Sequence, residues 1–261
     1  MARLTLCFLG PLEAKLDRVP VAGLATNKVR ALLAYLAVES DRPHRREMLA
    51  GLLWPDWPQR SARTNLRNAL SALRSAIGDR DADPPYLLVT RETLQFNRQS
   101  DHWLDVKAFD EFIESGVTDR LEEGIALYRG PFLEGFSVGD GPGFEDWSQV
   151  VRERLARQAL AVLQELAERY AQQGNYAHAC EAVRRQLEMD PGQEHAHRAL
   201  MRLLALNGQR SAALAQYETC CLALREELDV EPGEETIALY NQLFHSARRR
   251  NSFTKKHTRV Q

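Results

Sequence analysis

No stretch of these 261 residues is both long and apolar enough to span a bilayer. The N-terminus lacks the basic, apolar and small-residue segments of a secretory signal, so a cytoplasmic location is expected. Cysteine is scarce, and Cys7, Cys180, Cys220 and Cys221 show no CxxC spacing. Buried thiols in a reducing compartment are the simplest account. Adjacent Cys220 and Cys221 are expected to be a core thiol and its neighbour rather than a redox pair. No Ser/His/Asp set or carboxylate pair with local spacing stands out, so no catalytic residue and no enzymatic activity are expected. His195-x-His197 does not make a metal pair, because helical residues two apart do not share a face. Surface histidines are expected there. Gly139-Asp140-Gly141-Pro142-Gly143 lacks the Gly-Lys-Ser/Thr ending of a phosphate loop and the strand before it. A flexible connection is expected, with neither cofactor nor metal.

What is present is charge of uneven distribution. The net charge is only −2. Yet residues 1–100 carry fifteen basic and ten acidic side chains, residues 101–247 thirteen and twenty-six, and residues 248–261 six and none. A basic head on an acidic body suggests a nucleic-acid-binding domain joined to something else. The expected divisions are 1–100, 101–247 and a basic, disordered tail at 248–261.

One stretch organises the head, Arg60 to Gly78. At 3.6 residues per turn, Ala62, Leu66, Ala69, Leu70, Leu73 and Ile77 form an apolar stripe. Arg60, Arg63, Thr64, Arg67, Asn68, Ser71, Arg74 and Ser75 form the opposite stripe, with four arginines and no acid. Gly78 stands where a helix C-terminal glycine belongs. A merely solvated helix usually mixes signs. An anionic partner would neutralise this one, and a DNA major groove admits one helix of this size.

The surroundings suit that role. Arg3 to Leu16 alternates as two short strands broken at Gly10-Pro11. Lys28 to Glu39 reads as a helix from Thr26 or Asn27, with Val29, Leu32, Leu33, Leu36 and Ala37 inward. Arg45 to Leu53 is a second helix, broken by Trp54-Pro55-Asp56-Trp57-Pro58. Trp54 and Trp57 are expected to plug the space between the second and third helices, and Glu47 and Asp56 to be caps or solvated. Tyr86–Thr90 and Leu94–Asn97 form a hairpin with Arg91 at its tip. Two helices supporting a basic third, followed by a hairpin, make a winged helix-turn-helix.

From Asp105 only helices are expected: 105–115, 119–128, and a long pattern over 144–173. Gly174 and Gly208 lie 34 residues apart, as do Ala179 and Ala213. That is the tetratricopeptide period. The fold class is therefore mainly α: an N-terminal winged helix-turn-helix with a small β-sheet, then an all-α tetratricopeptide-like domain.

Several motifs, in order, carry a resemblance: Arg30-Ala31-Leu32-Leu33-Ala34-Tyr35-Leu36-Ala37, Arg46-Glu47-Met48-Leu49, Leu53-Trp54-Pro55 and Ala62-Arg63-Thr64-Asn65-Leu66-Arg67. Later come Tyr128-Arg129-Gly130-Pro131-Phe132-Leu133 and Asp190-Pro191 with Glu194, Arg198, Leu200 and Met201. Over residues 3 to about 245 the chain resembles the Streptomyces antibiotic regulatory protein type activators. The resemblance implies an OmpR-like winged helix, a bacterial transcriptional activation domain, tandem binding to direct repeats near promoters, and contact with RNA polymerase. It departs in the wing, where the family often has Gly-Tyr near the second strand. A glycine-dependent turn is therefore in question.

The expected partners are double-stranded DNA, RNA polymerase holoenzyme and a second copy of the chain on DNA. The expected DNA contacts are Arg60, Arg63, Thr64, Arg67, Asn68, Ser71 and Arg74, with Lys28, Arg45 and Arg46 on flanking phosphates and Arg91 from the wing. Two alternatives have other consequences. One is a helical-repeat adaptor or sensor whose winged helix binds protein. The other is the N-terminal part of a larger ATP-hydrolysing regulator.

Overall fold

A computed structural model describes residues 3–139 and 141–257, with side chains placed as far as His245. The alternation of Leu4, Leu6 and Phe8, all wholly buried, builds β1 (Leu4–Cys7). It pairs antiparallel with β2 (Glu13–Leu16), Leu4 opposite Leu16, and β2 pairs with the short β3 (Val19–Pro20). Helix α1 (Asn27–Val38) starts at Thr26, whose hydroxyl accepts the Val29 amide. All five residues expected to face inward on α1 are buried. The two-residue β4 (His44–Arg45) leads directly into α2 (Arg46–Leu53).

Helix α3 (Gln59–Ala76) is the arginine helix. Its six-residue apolar stripe is buried throughout, including Ile77 just past its end. Gly78 is at φ +65°, and the Asp79 amide bonds back to the Arg74 carbonyl at 2.9 Å, closing the helix as the sequence implies. Of the two tryptophans before α3, Trp54 is buried, but Trp57 is 51% exposed and plugs nothing. The prolines on both sides of Trp57 hold the turn outside the core. The wing is β5 (Leu87–Val89) with β6 (Thr93–Phe96), and β4 pairs on the outer side of β6.

Strand β7 (His102–Leu104) was not anticipated. It pairs parallel with β1, completing a sheet of order β3-β2-β1-β7. The next residue, Asp105, opens α4 (Asp105–Glu114) and is buried. Its carboxylate accepts the Phe8 amide at 2.7 Å and the Leu9 amide at 2.8 Å. Burial pushes the Asp105 pKa up, and those amides together with Arg129 pull it part of the way back. After α5 (Thr118–Leu127), Pro131 to Glu134 is stitched to the end of β1. The Leu133 amide donates to the Phe8 carbonyl, and the Gly10 amide to the Pro131 carbonyl. The long α6 (Pro142–Gln172) then begins. Near its start Trp147 packs at a tilt against Tyr35, ring centres 4.9 Å apart, and donates from its indole to Glu39 at 2.9 Å.

The chain forms two compact units, Met1–Arg157 and Gln158–Gln261. The change of charge near residue 100 and this change of compactness are thus different boundaries. The second unit is helical: α7 (Tyr176–Met189), α8 (Glu194–Leu206), α9 (Arg210–Leu228) and α10 (Glu234–His257), each packed on the next. Of the basic stretch 248–261, expected to be disordered, the backbone of 248–257 is instead the end of α10; its side chains, and residues 258–261 altogether, lie outside what the structure describes. Gly174 and Gly208 have φ +73° and +76°. The amide immediately after each glycine bonds back into the helix in the same way, Asn175 to Tyr170 and Gln209 to Leu204, both at 2.8 Å. Ala179 and Ala213 are wholly buried. These are the equivalences that the 34-residue spacing requires.

Three details of this unit differ from or deepen the sequence reading. His197 is buried, not on the surface. Its Nε2 donates to the Pro191 carbonyl at 2.9 Å, and Gln216 donates to its Nδ1 at 2.7 Å. The periodicity of α8 puts it beside Ala196, Leu200 and Met201 on the inner side. The Glu194 and Arg198 motif is a fastener. Glu194 accepts the Gly233 amide at 2.8 Å and the Thr236 hydroxyl, and Arg198 reaches Glu235 at 3.0 Å. Cys220 is buried, and burial pushes its thiol up to about 12, so it remains protonated and unreactive.

Candidate nucleic-acid interface

Helix α3 presents its polar stripe outward because its other stripe is consumed by the core. Arg60, Arg63, Thr64, Arg67, Asn68 and Ser71 are all exposed along that stripe. The first turn of α2 and the wing rise beside it. Between them lies a groove of about 610 Å³ lined by Arg45, Arg46, Arg63, Arg67 and Arg91, with Leu66, Thr93, Glu47 and Glu92. Five of the eleven sequence-predicted residues, from three separate segments, therefore meet around one space.

The wing is tied to α2 directly. The Arg46 amide donates to the Glu92 carbonyl at 2.9 Å, and its Nε donates to the Thr90 carbonyl at 3.1 Å. Burial lowers the Arg46 pKa from its ordinary value, though an arginine so placed is still a cation at neutral pH. The turn itself needs no glycine. The Thr90 hydroxyl accepts the Glu92 amide at 3.2 Å and the Thr93 amide at 2.9 Å. Among the described residues, none between Val89 and Leu94 has positive φ. The departure of this wing from the family's Gly-Tyr pattern is thereby accommodated, and Arg91 stays exposed at the tip.

Two predicted contacts are occupied elsewhere. Arg74 Nε lies 2.6 Å from Asp79 Oδ2, a carboxylate with no exposed surface. Lys28 donates to the Leu53 carbonyl at 2.6 Å. Neither lines the groove. The sequence reading also missed the acids. Glu47, expected to be a cap or solvated, bonds Arg63 across the groove. No local signal links residues 16 apart on different helices. Among the described residues, Arg45, Arg60, Arg67 and Arg91 have no carboxylate partner.

The structure combines a winged helix-turn-helix and its cationic groove with a tetratricopeptide-like repeat in one chain. The chain belongs to the bacterial transcriptional activator domain family, whose profile matches residues 110–244. The transcriptional regulatory protein EmbR of Mycobacterium tuberculosis and that of Mycobacterium bovis are each 29% identical over 143 residues. Those matches cover 51% of this chain but only 37% of the relatives' length. The solved structure of Mycobacterium tuberculosis EmbR in complex with a low-affinity phosphopeptide has a similar fold. The TM-score is 0.70 at 24% identity, over 94% of this chain and 66% of that one. Among the described residues no helix is long and apolar enough to cross a membrane.

Proposed function

We propose that this chain is a sequence-specific DNA-binding activator, with α3 entering the major groove and Arg91 reaching a phosphate or the minor groove. The observation that carries the reading is the convergence of five arginines from β4, α2, α3 and the wing on one groove. Such a surface attracts a polyanion, and a helix flanked by a wing suits a duplex. Arg60, Arg63, Arg67 and Arg91 supply forked donors for guanine edges and phosphates. Thr64, Asn68 and Ser71 supply shorter hydrogen-bonding groups beside them. Arg45 and Arg46 flank the groove at the phosphate side. Arg74 and Lys28 serve the scaffold in this reading, because Asp79 and the Leu53 carbonyl hold them. The acidic helical unit would make the contacts with a second copy and with RNA polymerase that the family resemblance implies, at direct repeats near promoters.

Footprinting over the promoter region beside its own gene, repeated across a salt series, tests this. A protected site is expected, with affinity falling steeply as salt rises, by a log–log slope of about 0.9 per phosphate neutralised. No protection, with affinity insensitive to salt, would favour an adaptor whose winged helix binds protein.

A further inference from the structure

We propose that Glu47 sets the specificity of this interface, by clamping Arg63 so that its guanidinium is withheld from phosphates and presented to base edges. The inference rests on the DNA-binding reading above and deepens it.

Glu47 lies on the first turn of α2 and Arg63 on the second turn of α3, and their side chains bond across the groove. Both are well exposed, at 59% and 50%. An ion pair so exposed adds little to stability. A carboxylate in a cationic groove also repels phosphate. The helix dipole favours an acid anywhere in the first turn of α2, but neither that nor bulk affinity accounts for a carboxylate aimed across the groove at Arg63. Positioning does. The clamp is selective, since Arg45, Arg60, Arg67 and Arg91 have no carboxylate partner among the described residues. The other paired arginine on α3, Arg74, is held by a buried acid outside the groove. A guanidinium has five N–H donors in a rigid fork. One bond to Glu47 leaves the rest free for a bidentate base contact while fixing the direction of the fork. Glu47 is itself held in place, because its neighbour Arg46 ties the start of α2 to the wing through Glu92 and Thr90. Without the clamp, Arg63 would swing to the nearest phosphate on any duplex.

The test is a four-protein cycle on the full chain: wild type, Glu47→Gln, Arg63→Ala and the double variant. Each is titrated against a duplex selected by the wild-type chain from a random pool and against a scrambled duplex of equal length. Glu47→Gln is expected to bind the scrambled duplex several-fold tighter. Its salt slope there should steepen by about 0.9, one further phosphate contact. The ratio of selected to scrambled affinity should fall about tenfold, one good contact's discrimination. In the Arg63→Ala background the same substitution should leave that ratio unchanged, because only general repulsion is then removed. Thermal midpoints should match throughout. An unchanged ratio and slope in Glu47→Gln would overturn the proposal, as would an equal fall with and without Arg63. A wild-type chain with no salt-dependent DNA binding would overturn the DNA reading itself, and this proposal with it.

Discussion

Arg74 and Asp79 lock the end of the arginine helix to the wing. The guanidinium Nε sits 2.6 Å from Asp79 Oδ2, and the other carboxylate oxygen accepts the Leu87 amide at 2.8 Å. Asp79 has no exposed side-chain surface, and among the described residues Arg74 and that amide are the partners of its carboxyl group. Breaking such a pair from one side typically costs about 3–5 kcal/mol. Because Arg74 is 31% exposed, the lower end is expected for Arg74→Ala. Asp79→Ala should likewise lower the denaturant midpoint, leaving the Leu87 amide unsatisfied. Denaturant unfolding of both variants checks this, and an unchanged midpoint would show that Arg74 has no scaffold role.

Arg63 and Arg67 stand one turn apart on the exposed face of α3 and both line the groove. Replacing both with alanine should leave the thermal midpoint unchanged. DNA affinity should weaken by on the order of 1–3 kcal/mol for each base-reading arginine. Gel-shift titration of mutant and wild type decides it, and equal affinities would remove α3 from the recognition role.

Ala179 is wholly buried at the start of the first repeat, five residues after Gly174. Ala179→Leu should overpack that crossing and cost about 1–3 kcal/mol. DNA binding should survive, because α3 belongs to the other compact unit. Thermal unfolding and DNA binding measured on the same variant separate the two effects. Unchanged stability would mean that the crossing tolerates bulk and that the repeat is not packed as described.

Burial lowers the pKa of His197 below its ordinary value. The unfolded chain therefore takes up the proton first as pH falls. The stability tied to neutral His197 is complete above the ordinary histidine range, about pH 6.5, and is lost as pH falls through the folded-state value. His102 is shifted in the same direction, also by burial. Unfolding of the wild type is expected to become easier on going from pH 7 to pH 5. His197→Gln should show a shallower dependence over that interval. Parallel curves for the two proteins would exclude His197 as a source of acid sensitivity.

A fragment ending at residue 100 loses β7 and the Asp105 carboxylate, which together hold the free edge and the end of β1. It leaves the Phe8 and Leu9 amides without their buried acceptor, at about 1–3 kcal/mol for each group left unsatisfied. A fragment ending at residue 157 keeps both features. The longer fragment should fold cooperatively and bind DNA, and the shorter one should be markedly less stable. Circular dichroism melts of the two fragments test this, with equal midpoints as the contrary result.

Local patterning carried much of this molecule. The stripe from Ala62 to Ile77 is buried throughout because helical period alone decides which residues share a face. Gly78, Gly174 and Gly208 take positive φ because each ends a helix, where a residue without Cβ meets no penalty. The 34-residue spacing found the buried alanines for the same reason: a repeated unit makes the same crossing twice.

What the tertiary structure alone decided is the partner of each polar group. Arg74, Lys28 and Arg63 look alike in the sequence as cations of a basic head. The fold gives the first a buried carboxylate, the second a backbone carbonyl 25 residues away, and the third Glu47 on another helix, while Arg67 has no carboxylate partner among the described residues. Trp54 and Trp57 share a motif, yet only one reaches the core. Strand β7 exists because β1 had an open edge nearby, not because its own three residues demand it. Side-chain periodicity is set within a few residues along the chain. Pairing between charges is set by where the chain returns, and that is fixed only when distant elements share a core.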